Sequence, residues 1–269
     1  MNSSHALQAL TAVVSRETVK FVHQTGRLFS ALVRPTLWML VFAAGFQNVF
    51  GVSIIPPYQT YIEYQVYIAP GLLGMVLLFN GMQSSLAMVY DREMGIMRLL
   101  LTAPLPRWYL LLCKLLAGTV LSVLQAYAFL AVCALFQVDL PWIGWLYALP
   151  ALLLGGMMLG ALGLLLSVHI RQLENFAGTM NFVIFPMFFI STALYPLWKL
   201  QESGADVVYQ LARFNPFTHA VELIRFALYG QLNWTALAVV VVALVLFFGL
   251  AVRGYDPQSG TVGRVQRPG

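Results

Sequence analysis

Between residues 35 and 252 the sequence holds six apolar stretches with scarcely a charge inside them. Each is about twenty residues or longer, the length a helix needs to cross a hydrocarbon layer about 30 Å thick. They cover residues 35–54, 67–89, 108–136, 142–168, 176–197 and 232–252. Only 9% of the 269 residues are charged. A water-soluble domain carries about a quarter, so a wetted surface could not be covered. The pattern predicts an all-α polytopic membrane protein with six transmembrane helices.

Lys and Arg choose the orientation. Twelve of the fifteen fall on one side: Arg16, Lys20, Arg27 and Arg34 before the first span, Arg92, Arg98, Arg107 and Lys114 around the second connection, Arg171, and then Arg253, Arg264 and Arg267. Only Lys199, Arg213 and Arg225 fall on the other. By the positive-inside rule both termini are expected in the cytoplasm of a bacterial inner membrane, the lipid bilayer being the chain's solvent. This topology accounts for the basic balance, so no nucleic-acid partner is expected. Arg16, Glu17 and Lys20 follow the short apolar stretch 6–14 with no basic residue before it, unlike a cleavable signal. Residues 1–34 read instead as an amphipathic helix along the cytoplasmic surface, with Ser3 or Ser4 as its cap. Residues 35–252 then form the transmembrane domain and 253–269 a cytoplasmic tail.

Little in the sequence suggests catalysis. There is no Walker A motif, no zinc-type spacing and no dinucleotide fingerprint. Cys113 and Cys133, twenty positions apart in one apolar run, lie about 30 Å apart if helical and serve packing. His219 and Glu222 have helical spacing for two metal ligands but lack a third, and Arg225 is also in reach of Glu222, which fits a pair on the helix surface. A membrane enzyme would need clustered His or carboxylates, and only His219, Glu222 and Glu63 approach that. The spans contain Lys114 near one end and otherwise no ionisable residue well inside. Ion-coupled transporters place such groups at mid-membrane, so a secondary transporter or channel is the weaker alternative. Neutral polar residues do occur, namely Asn80, Gln83, Ser84, Ser85, Gln125 and Asn181. They fit either a sparsely polar translocation surface or interhelical hydrogen bonding. The glycines Gly156, Gly160 and Gly163 form a small-residue stripe suited to tight packing.

Two non-spanning segments are informative. Residues 91–104 read as a short cytoplasmic helix: Asp91 and Glu93 suit its first turn, Arg98 a later one, and Pro104 and Pro106 stop it. Met94, Met97 and Leu101 share one greasy face that a membrane surface or a partner should cover. The second segment precedes the last span, on the outer side. Pro216 and Gly230 bracket a helix of about 14 residues, too short to cross and read as re-entrant or interfacial.

The run Asp91-Arg92-Glu93-x-Gly95, followed by Leu99-Leu100-Leu101-Thr102-Ala103-Pro104-Leu105-Pro106-Arg107 and Lys114, resembles the signature of type-2 ABC exporter permeases. That class includes nodulation-factor, drug-resistance and polysaccharide-export permeases. Asn175 to Asn181, then Leu194-Tyr195-Pro196-Leu197, then Asn215-Pro216 with Glu222 and Arg225, resemble the rest of the pattern. The resemblance implies a coupling helix formed by Asp91, Arg92, Glu93, Met94, Gly95, Ile96, Met97, Arg98 and Leu101, seated on a separate ABC ATPase subunit. It implies a homodimer or pair of permeases with two ATPases, no cofactor on this chain, and MgATP on the partner. It also implies an extracytoplasmic re-entrant region containing Asn215, Pro216, Glu222 and Arg225. The expected cargo is hydrophobic or amphipathic, passing Asn80, Gln83, Gln125 and Asn181. Ile96-Met97-Arg98 stands where many members carry Thr-Leu-Glu, so the family's docking contacts do not carry over at those positions.

Overall fold

The computed structural model describes residues 8, 10–16, 19, 25–46, 56–93, 106–170 and 172–255. Ser3 and Ser4, Met94, Gly95, Ile96, Met97, Arg98 and Leu101, and the tail 256–269 lie outside the described residues. The described chain is helical: α1 (Thr25–Phe46), α2 (Tyr64–Glu93), α3 (Arg107–Leu135), α4 (Trp142–His169), α5 (Leu173–Phe189), α6 (Leu197–Glu202), α7 (Asp206–Phe214), α8 (Pro216–Leu228) and α9 (Trp234–Gly254). A helical stretch at 10–16 precedes them. Its Val13 and Arg16 line a small cleft with Met88, Leu111 and Lys114, beside the end of α2 and the start of α3.

α2, α3, α4 and α9 are long and apolar enough to cross a membrane. α1 contributes a shorter apolar stretch, Leu32–Phe42, and α5 is 17 residues long, about 26 Å. The chain is therefore a multi-pass membrane protein. α9 buries only Ala236, Val240 and Ala251, while Val241, Val242, Val245, Leu246 and Leu250 face outward. Such an apolar stripe is at home in lipid.

Three boundaries differ from the sequence reading. Residues 25–34 belong to the helix of the first apolar stretch rather than to a separate surface helix, because α1 continues through Pro35. The Thr36 hydroxyl donates to the Leu32 carbonyl at 2.7 Å, re-using a backbone acceptor in the turn that proline loosens. α2 continues unbroken to Glu93. Asp91 and Glu93 thus lie in its last turn instead of opening a new helix, since no Gly or Pro interrupts the chain between Gly81 and Gly95. α5 ends at Phe189 rather than near 197. Its terminal carbonyls find another donor: the Asn215 amide nitrogen donates to Met187 at 2.7 Å and Ile190 at 2.6 Å.

The centre of the molecule is the α2–α4 crossing, set by small residues. A Cβ on Gly81 would stand 2.9 Å from the Gly160 nitrogen, and one on Gly163 2.9 Å from the Gly81 carbonyl oxygen. These distances are closer than atoms pack, so glycine lets the two backbones touch. Gly156 faces the Thr119 side chain of α3. The small-residue stripe is helix-packing surface on two neighbours.

α8 is the short helix bracketed by Pro216 and Gly230. The Asn215 side chain caps its start by accepting from the Phe217 nitrogen at 3.0 Å. Gly230, at φ 67°, ends it and donates to the Ala227 carbonyl at 2.9 Å. Phe217, Val221, Ile224 and Leu228 are fully buried, and Gly74 of α2 meets Val221 and Phe217. The helix is thus sunk into the bundle.

Candidate functional site

α2 presents two distinct polar regions along its length. The first is an open cleft between α1, α2 and α5, about 110 Å³ in volume. Asn80, Gln83 and Asn181 all line it, joined by Arg34, Phe79, Met75 and Met180. On α2 the lining residues recur at 75, 76, 79, 80 and 83, one face of a helix. Gln125 is not in the cleft. Its side chain is buried on α3 and its Oε1 accepts from Asn80 Nδ2. Three of the four polar candidates therefore share one surface, and the fourth braces one of them from behind.

Arg34 is the residue that sequence reasoning missed. It was counted among the charges flanking the first span, yet its guanidinium carbon stands 3.9 Å from the centre of the Phe79 ring. Phe79 is fifteen positions from Tyr64 and fourteen from Glu93, so it lies roughly 20 Å from either end of α2. An ionisable side chain does reach the middle of a span, contrary to the sequence expectation. The available signal was Leu28 to Val33, an apolar run on the N-terminal side of Arg34. Phe79 in turn meets Phe185 of α5 edge-on, with centroids 6.4 Å apart.

The second region lies at the Tyr64 end. Arg225, 2% exposed, pairs with Glu222 three residues earlier. Its Nη2 donates to the Thr192 carbonyl at 2.8 Å and, at 3.4 Å, to that of Tyr67. The guanidinium also lies over the Tyr67 ring, 4.2 Å from its centre. Arg225 is thus an interior residue, not half of a surface pair, because its Nη2 donates to buried carbonyls from other segments, although its buried Nε has no partner among the described residues. Burial holds the Tyr58 phenol above its usual range, against the pull of Arg225. The neutral ring adds no second anion beside Glu222.

The same carbonyls tie down the turn after α5. Thr192 also accepts from the Tyr67 hydroxyl at 3.1 Å, and Leu194 accepts from that of Tyr64 at 2.8 Å. With Asn215 on Met187 and Ile190, the 190–195 turn is held from α2 and from the start of α8. Pro216 is the first residue of that helix. His219 Nε2 lies 2.9 Å from the Arg213 carbonyl, an arrangement in which the ring nitrogen donates. Among the described residues no three His, Cys, Asp or Glu come together as a metal site.

At the other end of α2, the Glu93 carboxylate accepts from the Leu173 nitrogen at 3.0 Å. Leu173 opens α5, and no side chain of its own cap residue, Gln172, satisfies that helix start. A carboxylate there also suits the positive end of the helix dipole. The rest of the segment that follows Glu93 lies outside the described residues.

A family model described as ABC-2 type transporter matches residues 8–229. The chain is similar to the transport permease ycf38 of Cyanophora paradoxa, 30% identical over 85% of this chain and 76% of the relative. Nodulation protein J of Rhizobium leguminosarum bv. viciae is 32% identical, over 34% of this chain and 33% of that protein. The multidrug ABC transporter permease YbhR of Escherichia coli K12 is 25% identical, over 62% and 45% respectively.

Proposed function

The chain belongs to the ABC-2 type transporter family, and on that premise we propose that it is the membrane permease of an exporter driven by a separate ATP-binding-cassette subunit. The observation that carries this reading is the family match over residues 8–229. That range includes both polar regions and the segment that begins at Glu93. The cargo is hydrophobic or amphipathic, in keeping with a cleft whose polar groups sit among Met and Phe side chains.

In this reading six helices cross the bacterial inner membrane, namely α1, α2, α3, α4, α5 and α9. Both termini and the Glu93 end of α2 face the cytoplasm, and α6, α7 and α8 form the extracytoplasmic re-entrant region. Asp91, Arg92 and Glu93 lead into the coupling segment with Met94, Gly95, Ile96, Met97, Arg98 and Leu101, which docks on the ATPase. MgATP binds that partner and supplies the energy there. When the ATPases close, the segment moves and draws the end of α2 with it. α2 transmits the displacement stiffly because its glycines seat it directly on the α4 backbone. The Glu93 contact carries the same motion to the start of α5. Two permease copies complete the pathway, since the cleft of one chain is open at its side.

A secondary transporter would need a group that binds and releases a proton or cation. Among the described residues the cleft lining offers Arg34, Asn80, Gln83 and Asn181 but neither a carboxylate nor an imidazole. Arginine keeps its charge at every physiological pH.

Inverted vesicles containing the permease and its ATPase test the proposal. Transport is expected to stop on ATP depletion or on loss of the ATPase's catalytic residue, and to survive a proton uncoupler. A cysteine replacing Met97 is expected to crosslink to the ATPase. Transport that persists without the ATPase and collapses with the uncoupler would refute the reading.

A further inference from the structure

Arg34 sits where a charge is costly. Its guanidinium rests on Phe79, near the midpoint of the 30-residue helix α2. An arginine serving only as an anchor at the membrane surface extends toward water, away from the centre of the layer. Here the side chain lies over an aromatic face at mid-helix instead. A ring attracts the cation but does not neutralise it, and among the described residues no carboxylate lines the cleft. The guanidinium thus keeps a fork of N–H donors for an acceptor that the described residues of the chain do not supply.

The surroundings define that acceptor further. Gln83 and Asn181 line the same cleft from α2 and α5, each without a hydrogen-bond partner among the described residues. Asn80 is oriented by Gln125, to which its amide nitrogen donates, so its carbonyl oxygen is left for the cleft. Around these groups stand Met75, Met180 and Phe79, flexible or flat apolar surfaces that accommodate a chain of variable shape. A charged fork with amides on one side and thioethers and a ring on the other matches a molecule with an oxyanion head and an apolar tail.

We propose that the α1–α2–α5 cleft binds amphipaths bearing an oxyanion head group, a phosphate or carboxylate, with Arg34 pairing the head and Gln83 and Asn181 bonding its polar neighbours. This deepens the exporter reading and rests on it: the cargo is acidic as well as amphipathic. Guanidinium recognises such groups with two parallel N–H bonds, which a single ammonium cannot supply.

The test uses the whole transporter, permease with ATPase, in phosphatidylcholine nanodiscs. It is photolabelled without ATP by an alkyl phosphate carrying a diazirine in its tail. Label is expected in peptides of α1, α2 and α5. Dodecyl phosphate is expected to displace it at concentrations about tenfold below dodecyl maltoside, the advantage of a charge-assisted bond. Arg34→Gln is expected to lose about that factor, and Arg34→Lys, which keeps the charge but not the paired N–H bonds, to retain only part of it. Equal displacement by dodecyl maltoside in the unmodified protein overturns the proposal, and that arm needs no variant to fold. So does labelling that is unchanged by Arg34→Gln. Displacement by inorganic phosphate alone, as effective as by dodecyl phosphate, assigns the site to a free anion and rejects the amphipath. Because labelling requires no ATP, these results stand apart from the vesicle experiment on energy coupling.

Discussion

Two arginines stand over aromatic rings of the same helix, Arg225 over Tyr67 and Arg34 over Phe79, at 4.2 and 3.9 Å. The rings are twelve positions apart, about 18 Å along α2. Arg225 is enclosed: it has a carboxylate beside it and the Thr192 and Tyr67 carbonyls in reach. Arg34 faces an open cleft and has the ring alone among the described contacts that involve it. The same side chain over the same kind of surface is a fastening in one place and an unfilled socket in the other. What separates them is whether the protein itself supplies the anion.

That difference sets the order of mutational effects on stability. Replacing Arg225 with Met leaves Glu222 partly buried without its cation and is expected to cost about 3–5 kcal/mol. The thermal unfolding midpoint of the purified permease reads this, and adding Glu222→Gln is expected to restore most of the loss. Gly81→Val forces a branched side chain against the Gly160 backbone and is expected to cost about 1–3 kcal/mol by the same measurement. Gln125→Leu strips the Asn80 amide of its acceptor, for about 0.6–2 kcal/mol, and is expected to weaken alkyl phosphate labelling as Asn80 turns. Arg34→Gln, which breaks no bond to a carboxylate or carbonyl, is expected to leave unfolding within about 0.5 kcal/mol of the parent. Should Arg34→Gln destabilise as much as Arg225→Met, the contrast between the two arginines is lost.

The sequence displayed much of this arrangement and hid the rest for a physical reason. The sequence singled out Asn80 and Gln83 as polar residues of one span, and apolar length located α2, α3, α4 and α9. The glycines of α4 read correctly as packing surface, because small residues at helical spacing have few other uses in a membrane. Contacts between distant segments were beyond the local pattern. Arg225 looked like a surface residue because Glu222 is three positions away, whereas its other partners are 33 and 158 positions distant. Arg34 was hidden by the positive-inside rule itself, which counts a basic residue near a span end without saying where its side chain points. The proposed coupling segment reads as a motif and in part as periodicity, and from Met94 on it lies outside the described residues. Glu93 proved to belong to two helices at once, ending α2 and capping α5.

That last contact has a mechanical consequence. The two walls of the cleft, α2 and α5, are clasped at both ends: by Glu93 on Leu173 at one, and by Tyr64, Tyr67 and Arg225 on the 190–195 turn at the other. Among the described residues the latter clasp is several buried bonds and the former a single exposed one, worth on the order of 1 kcal/mol. Jaws fastened so unequally part at the weaker end and swing about the stronger. Any movement that widens the mouth between these helices therefore begins beside Glu93, where the proposed ATPase lever attaches.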